Sequence, residues 1–98
     1  MKGGNHAKVV LQLYVTGWTP QSDAAVRNLK LLFKQLNKPY SLEVVDLLSD
    51  PAVAESERVI ATPMLVKRSP LPMRRIVGDL SEKQELLEGL GLVTLNVK

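Results

Sequence analysis

The chain has 98 residues, 45% of them hydrophobic, enough for one ordinary globular core and too few for a second. It contains no cysteine, which excludes disulfides, thiolate metal sites, thiol nucleophiles and dithiol redox cycling. The formal charge of +3 comes from 13 basic and 10 acidic residues spread along the chain, and the aromatics are only Tyr14, Trp18, Phe33 and Tyr40, which argues against nucleic acid as a partner because such binders cluster cations among stacking rings.

Residues 1–8 read as a flexible leader, 9–92 as the domain and 93–98 as a short tail. The run Val9 to Val15 is nearly all apolar, the pattern of a central strand covered on both faces. Gln12 interrupts it and no small-residue cleavage site follows, so it is a strand and not a signal peptide. No segment approaches the ~20 apolar residues that cross a bilayer, so no membrane partner is expected and the cytoplasm is the expected location. Thr16-Gly17-Trp18-Thr19-Pro20 breaks the run, and Thr19 or Ser22 caps a helix with apolar positions Val26, Leu29, Leu32, Phe33 and Leu36. Arg27, Lys30 and Lys34 fall on its other side, and Asn37-Lys38-Pro39 ends it. A second strand, Tyr40 to Leu47, completes a βαβ unit with parallel strands.

Asp50-Pro51 marks the start of a short helix running to about Val59, with the Asp50 side chain expected to cap it. Met64 to Lys67 is a third strand, Ser69 to Pro72 a turn stiffened by its prolines, and Arg74 to Val77 the hairpin partner. Ser81 and Gln84 form an expected capping box before Leu86, Leu87 and Leu90. Gly89 and Gly91 weaken the end of that helix, and Leu92 to Leu95 has strand character. The resulting βαβαββα order predicts an α/β thioredoxin-like fold, a single mixed sheet flanked by helices.

In that fold the connection after the first strand carries the redox cysteines, and here it reads Gly17-Trp18-Thr19-Pro20-Gln21-Ser22. Pro63 stands directly before the third strand, where such folds place a cis-proline; the alternative is that Pro63 only shapes a turn. No phosphate loop, metal motif or fixed carboxylate pair appears, and His6, the sole histidine, lies in the leader. Neither enzymatic activity nor a cofactor is expected.

Leu13-Tyr14-Val15-Thr16-Gly17 with Thr19-Pro20 and Ser22, Val45-Asp46, Ile60-Ala61-Thr62-Pro63, and Pro72 with Arg74-Arg75-Ile76-Val77-Gly78-Asp79-Leu80-Ser81 together resemble the KaiB family of circadian clock proteins. The resemblance covers roughly residues 9–90, and the same pattern occurs in the sensor domain of the histidine kinase SasA. It implies a non-enzymatic regulator that docks on a KaiC-like ATPase, with KaiA-like or SasA-like proteins as further partners. It also implies a homo-oligomer, dimer or tetramer, and a fold switch between the thioredoxin-like form and a resting form with a rearranged second half. Trp18, where the family more often has a polar residue, and the absence of an acidic tail imply a divergent or non-cyanobacterial member, in clock or stress-response regulation.

Arg58, Trp18, Arg74, Arg75 and Lys67 are the expected partner-binding residues. Arg58 matches a basic position that the family uses against KaiC, the alternative being a solvated residue at a helix end. Arg74 and Arg75 alternate across a strand, so at most one joins a given surface, while the other is free to pair with a carboxylate such as Asp79. Lys67 and Arg68 alternate likewise, and on the competing reading they only protect an edge strand. Trp18 is either an exposed anchor or a lid on the core. Two readings compete with a KaiB-like regulator: a thioredoxin-like enzyme such as a glutathione transferase or peroxidase fragment, and a self-assembling module with a different partner.

Overall fold

The computed structural model describes residues 8–92. The leader up to residue 7, the tail 93–98 and most of the strand-like run from Leu92 to Leu95 lie outside the described residues. The elements follow the expected order: β1 (Val9–Val15), α1 (Pro20–Leu36), β2 (Tyr40–Asp46), α2 (Pro51–Ser56), β3 (Met64–Ser69), β4 (Arg74–Val77) and α3 (Lys83–Gly89). They build one four-stranded sheet in the order β2-β1-β3-β4. β1 runs parallel to β2, as a helical crossover requires, and antiparallel to β3, which pairs in turn with β4. Residues Met64 to Val77 thus form a hairpin, and the described state is the thioredoxin-like one.

Alternation along β1 divides the core into two layers. Leu11, Leu13 and Val15 pack with Leu65 against Leu29, Leu32 and Phe33 of α1 and Leu86 and Leu90 of α3. Tyr14, Met64 and Val66 face the other way, onto Leu47, Val53, Ala54 and Val59 around α2. Each fully buried Leu or Phe contributes about 1.5–3 kcal/mol, so the α1/α3 layer dominates the stability.

Local chemistry sets the helix ends. Thr19 Oγ1 accepts the Ser22 N–H at 3.1 Å, so Thr19 and not Ser22 caps α1. Asn37 closes that helix in the left-handed region at φ 53°, donating to Lys34 O. α2 stops at Ser56, short of the expected Val59, because Arg58 adopts φ 56° and the Val59 N–H turns back to Ala54 O at 2.8 Å. The Asp50 side chain makes no capping bond. The capping box at Ser81 is likewise not formed. Leu80, buried at φ 64°, turns the chain so that the Ser81 N–H donates to Asp79 Oδ1 at 3.0 Å, and α3 begins only after Glu82.

β3 is an interior strand, which overturns the edge-protection reading of Lys67 and Arg68. Lys67 is 3% exposed and lies directly across from Arg74 on the α1/α3 face. A side chain this little exposed offers almost no surface to a partner, so the structure does not place Lys67 on a docking surface. Burial, and then Arg74, hold its pKa below the ordinary lysine value. Lys67→Met keeps the aliphatic stem and removes the like-charge pair, and it should stabilise the fold by about 0.5–1 kcal/mol, read as a higher urea midpoint at pH 7. The lowered pKa means that the unfolded chain binds more protons. Wild-type stability therefore rises as pH climbs through the lowered value, and the gain from Lys67→Met disappears there.

Candidate functional site

Three loops meet at the carboxyl end of β1, and short polar links hold them together. Asp46 Oδ1 accepts the N–H groups of Gly17 at 2.9 Å and Leu48 at 3.0 Å, joining the β1–α1 and β2–α2 connections. Gly17 sits at φ 73°, a conformation that strains any residue with a side chain, and a Cβ there would press against Leu48 Cδ1 at 3.1 Å. Thr16 Oγ1 and Thr62 Oγ1 share a hydrogen bond of 2.9 Å, which brings in the segment before β3. The Thr62-Pro63 bond is cis and Pro63 is buried, as its place in the chain implies; the Ser69-Pro70 and Leu71-Pro72 bonds are cis as well.

Around these links the surface is apolar. Ile60 is 91% exposed, Leu48 67% and Trp18 61%, so Trp18 is an exposed side chain and not a lid. Beside them a cleft of about 310 Å³ is lined by Thr16, Leu47, Pro51, Ala54, Val59, Ile60, Ala61 and Thr62. None of these side chains ionises, so the cleft offers apolar contact and the hydroxyls of Thr16 and Thr62, with no side-chain acid or base beside them in the lining. Among the described residues no cluster of His, Cys, Asp or Glu is arranged to hold a metal, and no helix is long and apolar enough to cross a membrane.

Beneath α2 lies a polar network that the sequence reading missed. Arg68 donates to Glu57 Oε1 at 2.7 Å, Tyr14 Oη at 2.9 Å and Gln12 Oε1 at 2.6 Å, tying the end of α2 to the sheet. Arg75 donates to the Glu57 carbonyl at 2.8 Å. The Arg68 hydrogen bond, reinforced by its charge, holds the Glu57 carboxyl below the usual carboxylate range. Because that pKa is depressed, the stabilisation is complete above the ordinary value of about 4.3 and is lost as pH falls through the lowered one. Thermal unfolding between pH 7 and pH 3 should show Glu57→Gln losing less stability on acidification than wild type.

The five expected partner-binding residues do not form one surface. Trp18 lies at the loop end, while Arg58 is exposed at the end of α2 and Arg75 reaches that segment from β4. Arg74 and Lys67 occupy the opposite face of the sheet, with the Arg74 guanidinium beside Gly91. Arg74 does not pair with Asp79; the ion pair among the described residues is Arg68–Glu57. The structure adds Ile60 and Leu48 to the candidate surface. No periodicity marks them, since both lie in irregular segments, and only a large aliphatic beside a predicted loop hints at them.

The KaiB domain family model matches residues 12–92. The chain is 46% identical to the circadian clock oscillator protein KaiB of Synechococcus elongatus over 85 residues, covering 86% of this chain and 83% of that protein. It is also 46% identical to the same clock protein of Thermosynechococcus vestitus, covering 86% of this chain and 79% of that one. In structure it is similar to the N-terminal domain of Synechococcus elongatus SasA, with a TM-score of 0.71, 24% identity, and 100% and 97% of the two chains covered. Chloroplastic thioredoxin z aligns with a TM-score of 0.67 at 17% identity, covering 89% of this chain and 79% of that one, a likeness of fold alone. The thioredoxin-like framework, its cysteine-free first connection and this sequence similarity agree: the chain belongs to the KaiB family.

Proposed function

We propose that this protein is a non-enzymatic, clock-related regulator that docks on a KaiC-type ATPase through the carboxyl end of β1 and the α2 segment. The observation that carries the reading is the exposed apolar set Trp18, Leu48 and Ile60 around a cleft without ionisable groups. Large exposed aliphatic and aromatic side chains, gathered at one end and rimmed by a cation such as Arg58, are the ordinary make-up of a protein interface. Family membership supports a KaiC-type ATPase as that partner. KaiA-like or SasA-like proteins, where the cell has them, would share or compete for the assembly, and the chain would self-associate when unbound.

A fold switch belongs to the same proposal. The second half carries two non-glycine residues with left-handed backbone, Arg58 and Leu80, and a left-handed bulky residue costs about 1–2 kcal/mol. A rival packing of that half, a few kcal/mol away, relieves such strain. The test is size-exclusion chromatography of the purified protein with the KaiC-type ATPase of the same cell, after overnight incubation with ATP or ADP. Co-elution is expected in at least one nucleotide state. Failure in all of them contradicts the proposal, and saturable glutathione binding would favour the enzyme reading instead.

A further inference from the structure

On the face of the sheet opposite α2, a groove of about 120 Å³ runs between α1 and α3, lined by Asn28, Leu31, Leu32, Gln35, Leu80, Ser81, Lys83 and Leu86. Its floor is aliphatic, and its rim residue Leu31 is 54% exposed, although α1 has ample polar surface elsewhere. The charges beside it on α1 have one sign. Arg27 and Lys34, one turn before and one turn after Leu31, are exposed beside it on α1, while Lys30 is exposed farther round the helix and the single acid of that helix, Asp23, lies back in its first turn. Lys83 is the one charged residue that lines the groove itself, from the α3 side, whereas Glu82 and Glu85 line an adjoining cleft toward β4 that shares Leu80, Ser81 and Leu86 with it. None of Arg27, Lys34 and Lys83 has an ion-pair partner among the described residues.

We infer that the α1/α3 groove is a second docking site, for an acidic amphipathic helix that sets aliphatic side chains on Leu31 and Leu80 while its carboxylates face Arg27, Lys34 and Lys83. Charge complementarity fixes the sign of the partner, and the aliphatic floor fixes its class. Nucleic acid fits poorly, because no ring lines the groove for a base to stack on. The groove and the cleft beside Ile60 lie on opposite faces of the sheet, so occupation of one leaves the other open.

The test is fluorescence anisotropy with a labelled helical peptide of ~16 residues that carries leucines on one face, at i, i+3 and i+4 spacing, and glutamates elsewhere. Two twins serve as comparators, one with lysine for every glutamate and one with serine for every leucine. Saturable binding of the first peptide alone is expected, weakened about tenfold by Leu31→Glu and by the pair Arg27→Glu with Lys34→Glu, and unchanged by Ile60→Asp. All of these positions are exposed, so the variants should fold, which circular dichroism verifies. The inference is overturned by absence of saturable binding, by equal binding of the serine twin, by insensitivity to Leu31→Glu, or by a DNA duplex displacing the peptide at equal concentration. Since Ile60→Asp separates the two surfaces, failure here is distinct from failure to bind the ATPase.

Discussion

Phe33→Ala is expected to destabilise the fold by about 3–5 kcal/mol, the range found when a buried aromatic is truncated. Phe33 is 1% exposed and sits where the inner face of α1 meets the sheet. Its ring stacks on Tyr40 at a centroid distance of 4.8 Å, at the start of β2. The truncation removes both the transfer energy of the ring and the contact that registers the crossover helix on the parallel strand pair. A domain of this size has about 5–15 kcal/mol in hand, so the variant should melt at least ~12 °C lower or fail to fold. Leu31→Ala, on the exposed side of the same helix, should cost under about 0.5 kcal/mol. A loss below about 1 kcal/mol for Phe33→Ala would mean that α1 is not packed as described.

The second large effect concerns binding. Ile60→Asp should weaken association with the KaiC-type ATPase by about 30-fold or more, the equivalent of ~2 kcal/mol at a central interface residue. Ile60 is the most exposed of the large apolar side chains among the described residues, and an Asp in its place would carry a charge into a desolvated contact. Trp18→Ala is expected to act in the same direction, through loss of aromatic area alone. Neither change should alter the unfolding free energy by more than about 0.5 kcal/mol, because neither side chain supports the core. Isothermal titration alongside denaturant unfolding separates the two quantities; a large loss of stability with binding intact would remove Ile60 from the interface.

The framework was legible because its signals are local and redundant. The apolar run of β1 identified the central strand, Thr19-Pro20 the start of α1, Asn37-Lys38-Pro39 its end, and the prolines before Arg74 the hairpin. The misreadings share a cause. Asp50 and Ser81 are good capping residues by type, yet whether a side chain caps depends on the backbone that leads into the helix, and the left-handed Leu80 spends the Ser81 amide on Asp79 instead. Strand order is not written in any one segment either. That β3 lies between β1 and β4 decides whether Lys67 is a solvated guard or a buried cation, and this follows only from the pairing of distant strands. The same holds for Arg68, whose partners Gln12, Tyr14 and Glu57 come from separate parts of the chain.

Hydrogen exchange read by mass spectrometry, with and without a saturating KaiC-type ATPase, tests the central claim most directly. Predicted is new protection of backbone amides in residues 16–18 and 47–62, the segments that surround the apolar cleft, with Ile60→Asp requiring about 30-fold more ATPase to reach it. Protection confined to the α1/α3 groove or to the outer edge of β2, with residues 47–62 unchanged, would contradict the account.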